Sequence, residues 1–328
     1  MPEPGVLLIT SARTDAHVAP GHPERPERRA AVAAGVRRAA TDGGVPLGER
    51  EARLATDEEL QRVHPAALIE ALDASVARGG GWIDADTYVV PGSGDALRLA
   101  AGGTIDAALA VADGLAHVAF AVVRPPGHHA SAQQPSGFCL VNNVALAVSA
   151  LRAGGRAWRV AIVDWDVHHG DGTQALFESD PDVCYASTHQ MPLFPGTGAP
   201  DETGLGAGRG TMHNAPLAPG SDDPAFVAAW RERLLPAIEA FAPEAILVSA
   251  GYDAHAVDPL AELEVTEAGF EAVAREVGAV AARLGLPGVA LTLEGGYDLD
   301  AIRDSAAATV RGLLAGLRTG SHVEGVEG

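Results

Sequence analysis

The chain has 328 residues, 47% of them apolar, and a formal net charge of −20 at neutral pH. That length and apolar share suit a large globular core and exclude a disordered chain. The negative balance argues against nucleic-acid binding, which needs a basic footprint, and is compatible with cationic substrates.

The opening MPEPGVLLIT lacks the basic start and long apolar region of a secretory leader. The most apolar window, residues 100–123, is broken by Asp106, Asp113 and His117, whereas a membrane span needs about 18 or more apolar residues. Cys139 and Cys184 make no disulfide framework, so a reduced, cytoplasmic protein is the expectation. All 23 basic residues are arginine. The plain reading of this lysine-free, glycine- and alanine-rich chain is the codon bias of a GC-rich genome.

In chain order the pattern predicts a strand over 6–9, helices over 27–40, 66–78 and 95–112, a strand over 118–123 and a helix over 144–153. Strands follow over 160–164 and 183–187, with residues 170–172 opening a helix between them. A helix over 224–241, a strand over 245–250, a helix over 267–284, a strand over 289–293 and a helix over 301–317 complete the series. Continuous apolar strands separated by helices indicate a mainly parallel sheet covered on both faces. With no linker or internal repeat in view, the expectation is one three-layer α/β/α domain over residues 1–317 and a loose polar tail over 318–328.

In such a sheet, functional residues gather beyond the carboxyl ends of the strands. Four strand ends carry polar clusters: RPPGHHA from Arg124, DWDVHHGDG from Asp164, GYDAHAVDPL from Gly251 and EGGYD from Glu294. Nothing in folding calls for four such clusters on one edge. Three aspartates and two histidines beside the apolar run 160–163 cost several kcal/mol in desolvation unless something compensates them. In extended chain, residues i and i+2 face one way, which places Asp166 beside His168, with Asp164 one step earlier in the row. With Asp253 supplied by another strand end, the set suits Zn²⁺ with an open coordination position, and a dication would offset the buried acids. The bland alternative is a hydrogen-bonded Asp–His pair without metal.

The chain resembles the zinc-dependent histone deacetylase family, in the group that includes bacterial acetylpolyamine amidohydrolases and acetoin-utilisation proteins. The resemblance rests on seven ordered blocks: GHPERPERR (21–29), RPPGHHA (124–130), GFCLVNNVA (137–145), DWDVHHGDGTQ (164–174), FPGTG (194–198), SAGYDAHAVDPL (249–260) and LEGGYD (293–298). It implies the arginase–deacetylase α/β fold, one catalytic zinc (Fe²⁺ being the other candidate) and hydrolysis of N-acyl amines. By position it implies Asp166, His168 and Asp253 as metal ligands and His128 and His129 as the tandem active-site histidines. Asp164 and Asp171 match the carboxylates behind those histidines, and Tyr297 matches the donor to the substrate carbonyl. Gly137, Phe138 and Phe194 match the walls of a narrow acyl-lysine tunnel, and Leu260 its mouth, where polyamine-selective relatives carry an acid. Asp164, Asp166, His168 and Ser187 match a site for a monovalent cation, K⁺ or Na⁺. Either Asp84 or Asp86 matches a rim aspartate.

The residue types suit that chemistry. A zinc ion polarises an amide carbonyl and acidifies a water. His129 is assigned the role of base and His128 that of its electrostatic partner, since imidazole titrates near working pH. Tyr297 supplies an oxyanion donor, and Gly295 and Gly296 let the backbone approach the substrate. His169 is expected to pack or cap. His189 stands equally between bordering the site and lying on the surface, and Trp165 and Cys139 belong in the core. An arginase-like ureohydrolase would need an Asp-x-Asp where this chain has Asp253–Ala254–His255, and an inactive acyl-lysine binder would have lost a ligand or the tyrosine. The expected partner is an acyl-lysine protein or peptide, or a small N-acylated amine, with no nucleic acid and no membrane. The residues do not fix the oligomeric state; a homodimer or homotetramer is compatible with them.

Overall fold

Val118, Phe120 and Val122 pack into one apolar cluster, while Ala119 and Ala121, on the same strand, pack into another. Ala161 and Val163 separate from Val160 and Ile162 in the same way. Successive strand residues point to opposite faces, so a strand apolar at every position is buried on both. Such strands pair in parallel beneath two layers of helix.

The computed structural model describes residues 5–320. Its first half runs β1 (Val6–Thr10), α1 (Glu27–Asp42), β2 (Leu47–Glu51), α2 (Asp57–Gln61), α3 (Ala66–Ala77), β3 (Gly81–Trp82), β4 (Tyr88–Val89), α4 (Ser93–Ala112), β5 (Val118–Val122) and α5 (Asn143–Ala153). Its second half runs β6 (Val160–Asp164), α6 (Asp171–Phe177), β7 (Val183–Gln190), β8 (Met212–Leu217), α7 (Asp223–Ala229), α8 (Leu235–Phe241), β9 (Ala245–Ala250), α9 (Glu267–Arg283), β10 (Val289–Leu293) and α10 (Leu299–Gly320). Eight strands form one sheet in the order β2-β1-β5-β10-β9-β6-β7-β8, and all its pairings are parallel. Val32 of α1, Val277 of α9 and Val310 of α10 cover one face, and Leu99 of α4 and Val148 of α5 cover the other. Among the described residues, no helix is long and apolar enough to cross a membrane.

The structure departs from the sequence pattern at the edges. β2 (LGERE) and β8 (MHNAPL) carry no apolar run. They flank the sheet, where charge and proline discourage pairing with another chain. The helix expected over 224–241 is divided by a π turn at Trp230–Leu234. There the Leu235 N–H reaches back to the Trp230 carbonyl, and Pro236 has no N–H to continue the regular ladder. α10 continues through Gly320, past the boundary expected at 317. The rest of the expected tail lies outside the described residues.

The surface is held by arginine pairs, many of them two-pronged. Arg37 meets both oxygens of Glu49 at 2.9 and 2.8 Å, and Arg29 both oxygens of Asp15 at 2.7 Å.

α9 and α10 meet through small residues. A Cβ on Gly312 would lie 2.4 Å from the Glu271 carbonyl oxygen, and one on Gly316 2.0 Å from that of Arg275. Replacing a helical glycine by alanine ordinarily stabilises by about 0.5–1 kcal/mol. At Gly316 the overlap with fixed backbone wins, and forced overpacking costs about 1–3 kcal/mol. Gly316→Ala is therefore expected to lower the urea unfolding midpoint, and a raised midpoint would show that the two helices do not approach this closely.

Candidate active site

β5, β10, β9 and β6 are consecutive neighbours in the sheet. The four polar clusters therefore emerge side by side at its carboxyl edge.

β6 ends at Asp164, and the chain then bends instead of continuing extended. Asp164 Oδ1 accepts the Asp166 N–H at 3.2 Å, and Asp166 Oδ1 accepts the His168 N–H at 2.9 Å. Asp166 and His168 do come together, with Oδ1 to Nδ1 at 3.1 Å. They meet through two successive side-chain-capped turns and not through the strand alternation expected above. Asp253, beyond β9, accepts the Val167 N–H at 2.9 Å, and its Oδ2 stands 3.2 Å from His168 Nδ1.

The histidine pair follows β5. His128 Nδ1 lies 3.1 Å from Asp164 Oδ2, and His129 Nδ1 lies 2.7 Å from Asp171 Oδ1. Each carboxylate occupies Nδ1 and leaves Nε2 as the available nitrogen. Asp164 Oδ2 also accepts the Tyr185 hydroxyl at 3.0 Å. Burial, followed by the neighbouring His128, pushes His129 down to about 3. His128 is raised: burial acts against it, but Asp166 and Asp164 outweigh burial.

Beyond β10 the chain turns through Gly295 and Gly296. A Cβ on Gly295 would lie 2.0 Å from Asp253 Oδ2, and Gly296 has φ +111°. Only glycine passes this close to the two acids, and the Gly295 N–H donates to Asp166 Oδ2 at 2.7 Å. Tyr297 follows, its ring beneath the Arg28 guanidinium at 4.8 Å. Burial raises its phenol well above the usual range, so the hydroxyl keeps its proton.

A pocket of about 250 Å³ opens among these groups. His128, His129, Asp166, His168, Gly295 and Tyr297 border it together with Gly137, Phe138, Phe194 and Leu260. Phe138 and Tyr297 meet edge to face at 6.0 Å, and Phe194 meets His129 at 5.1 Å. Phe138 holds φ +69°, a left-handed conformation strained for a non-glycine residue.

The chain matches the histone deacetylase domain over residues 22–313. The chain belongs to the histone deacetylase family. It is a hydrolase of that family. It is 41% identical to a probable deacetylase of Archaeoglobus fulgidus over 285 residues, covering 86% of this chain and 78% of that protein. It is 40% identical to a histone deacetylase-like amidohydrolase of Pseudomonas aeruginosa, covering 85% and 73%. It is also 40% identical to histone deacetylase 15 of Arabidopsis thaliana, of whose length it spans about half (53%). A crystal structure of the HDA15 HD domain superposes with a TM-score of 0.88 at 38% identity, covering 97% of this chain and 93% of that one.

This histone deacetylase family member has a donor set that fits a divalent cation. Ligand atoms of Asp166, His168 and Asp253 all lie within 4.8 Å of one another. Asp253 Oδ2 is buried and accepts no hydrogen bond, a condition that calls for a missing partner. Burial would lower His168, yet the facing carboxylates of Asp166 and Asp253 raise it to about 10. Two buried carboxylates beside one imidazole leave negative charge that a cation would offset.

Other expectations resolve differently. Asp86 lines the pocket, whereas Asp84 Oδ1 is engaged by the Asp86 and Thr87 N–H groups at 3.0 and 2.6 Å. His189 is no surface residue: it is 1% exposed, between Ser187 Oγ at 2.9 Å and the Gly198 carbonyl at 2.9 Å. Ser187 is the register partner of Asp164 on β7. His169 packs between Thr197 and Gln174. Two acids that support the site went unassigned in the sequence reading. Glu294, fully buried and pushed up to about 7 by that burial, accepts the Gly127 and His128 N–H groups at 2.7 and 3.2 Å. Asp258, likewise pushed up to about 7 by burial and then by Asp253, accepts the Tyr297 N–H. Both sit inside the motif blocks, but what they bond depends on how two distant loops meet.

Chelator-stripped protein resupplied with Zn²⁺ is expected to take up one ion per chain by elemental analysis and to melt at a higher temperature. Saturation a thousandfold above Kd adds about 4 kcal/mol. Asp253→Ala is expected to lose both effects; a wild type that takes up no ion would overturn the assignment.

Proposed function

We propose that the protein is a metal-dependent deacylase that hydrolyses the side-chain amide of acyl-lysine in proteins or peptides. One observation carries the reading: Asp166 and His168, grouped with the buried Asp253, border the same apolar-walled pocket as the histidine pair and Tyr297. In our reading the ion is Zn²⁺, with Fe²⁺ as the other candidate. Such an ion would polarise the amide carbonyl and acidify a water.

The chain's own residues do the rest. Phe138 and Phe194 flank an extended aliphatic stem and exclude water from it. His129, with Nδ1 tied to Asp171, offers Nε2 to take the proton of the attacking water. His128, backed by the buried Asp164, stabilises the negative charge that develops, and either imidazole returns a proton to the leaving amine. The Tyr297 hydroxyl donates to the carbonyl oxygen as it becomes an oxyanion. A monovalent cation, K⁺ or Na⁺, held by Asp164, Asp166, His168 and Ser187 belongs to the same reading, as does a reduced, cytoplasmic setting.

Incubation with an acetyl-lysine peptide is expected to release acetate, to stop on chelation and to resume with zinc. Activity that survives complete metal removal would sink the proposal. Tyr297→Phe is expected to keep the metal and the fold while kcat falls roughly 10²–10³-fold; a variant within a few-fold of wild type would show that Tyr297 is not the carbonyl donor.

The preference for acyl-lysine over acetylpolyamines rests on Leu260, which borders the pocket. Leucine meets a methylene stem but offers nothing to a second ammonium. The acidic surface attracts polyamines at long range, but salt screens that attraction beyond about 8 Å. Acyl-lysine is expected to exceed acetylspermidine in kcat/KM, and Leu260→Glu to move the ratio toward the polyamine about tenfold, or about 1.4 kcal/mol. A wild type that already favours acetylspermidine would refute the argument from Leu260.

A further inference from the structure

Tyr297 follows two glycines, the residues with the greatest backbone freedom. Its position therefore depends on contacts that hold the turn from outside. One is the Arg28 guanidinium, which donates to the Gly296 and Glu294 carbonyl oxygens. Another is Asp258, in the loop after β9. The residue is 7% exposed, with Oδ2 accepting the Tyr297 N–H at 2.7 Å and Oδ1 accepting the Leu260 N–H at 3.0 Å. The loop that carries it is itself braced, with the Asp258 N–H on the His255 carbonyl at 2.8 Å and the Ala256 N–H on the Val265 carbonyl at 2.9 Å.

Both residues that Asp258 holds border the pocket. A second cavity, of about 480 Å³, lies against the other side of the same wall and is lined by Pro259 and Tyr297. Tyr297 and the Pro259–Leu260 pair therefore form the partition between the two cavities. One carboxylate bonds both halves of that partition, Leu260 further along its own loop and Tyr297 on the turn after β10.

We infer that Asp258 is a positioning residue of the reaction proposed above, aiming the Tyr297 hydroxyl and the Leu260 lip in one register. It touches no substrate and acts through Tyr297. The inference rests on that proposed function for its kinetic readout, but not for its structural one.

The test is a double-variant cycle combined with amide hydrogen exchange. Asp258→Asn keeps the shape of the side chain but turns one oxygen into a donor that cannot accept an N–H. It is expected to bind as much metal as wild type, to leave KM within about twofold and to lower kcat about tenfold or more, as small misplacements of a reacting group do. In a Tyr297→Phe background the same change is expected to cost less than about twofold more, because residues that act as a unit are not additive. Losses that multiply in the double variant, or a single variant within about twofold of wild type, would overturn the inference. Exchange at the Tyr297 and Leu260 amides needs no activity. Both amides are expected to be protected in wild type and to exchange faster in Asp258→Ala, or in Asp258→Asn should the alanine variant not fold. Unchanged exchange overturns the inference too. A wild type with no deacylase activity would refute the function proposed above and leave the exchange result to decide the role of Asp258.

Discussion

The carboxyl edge of this sheet is governed by the cost of holding acids away from water. Asp164, Asp166, Asp253 and Glu294 are buried within a few residues of strand ends, and Asp258 is buried further along the loop after β9. An isolated carboxylate in such a place costs many kcal/mol, so each must find donors. They find them mostly in the backbone of a neighbouring loop. Asp253 holds the loop after β6, Asp166 the one after β10, Glu294 the one after β5, and Asp258 a second point on the turn after β10. The loops are thus cross-linked by the groups whose burial is unfavourable.

The same device orders the chemistry. A carboxylate that accepts an N–H at one oxygen has its other oxygen aimed by that bond. Asp253 accepts Val167 through Oδ1, which turns Oδ2 toward His168 with no hydrogen bond of its own. Asp164 accepts the Asp166 N–H through Oδ1 and faces His128 and Tyr185 through Oδ2. Hydrogen bonds within the chain thus orient the groups of the site, and fixed dipoles act strongly on developing charge.

Much of this was legible in the sequence. The strands of the sheet interior announced themselves as apolar runs, and their polar termini marked the site. The edge strands β2 and β8 did not, because an edge is protected by charge and proline, the features that erase a strand pattern. Asp166 and His168 were paired on an extended-chain argument, whereas bends capped by Asp164 and Asp166 bring them together. Spacing does not separate Asp84 from Asp86, whereas in the hairpin turn Asp84 is spent on backbone donors and Asp86 borders the pocket. Asp258 and Glu294 escaped notice for a similar reason: a side-chain-to-backbone bond across distant loops leaves no periodicity and no spacing to read.

The two-pronged arginine pairs that lace the surface have a consequence for identity as well as for stability. Every long cationic side chain in these 328 residues ends in a guanidinium, and none in a primary amine. A hydrolase built this way displays no ε-amide of its own. Reagents and donor molecules that acylate lysine find no lysine target on it.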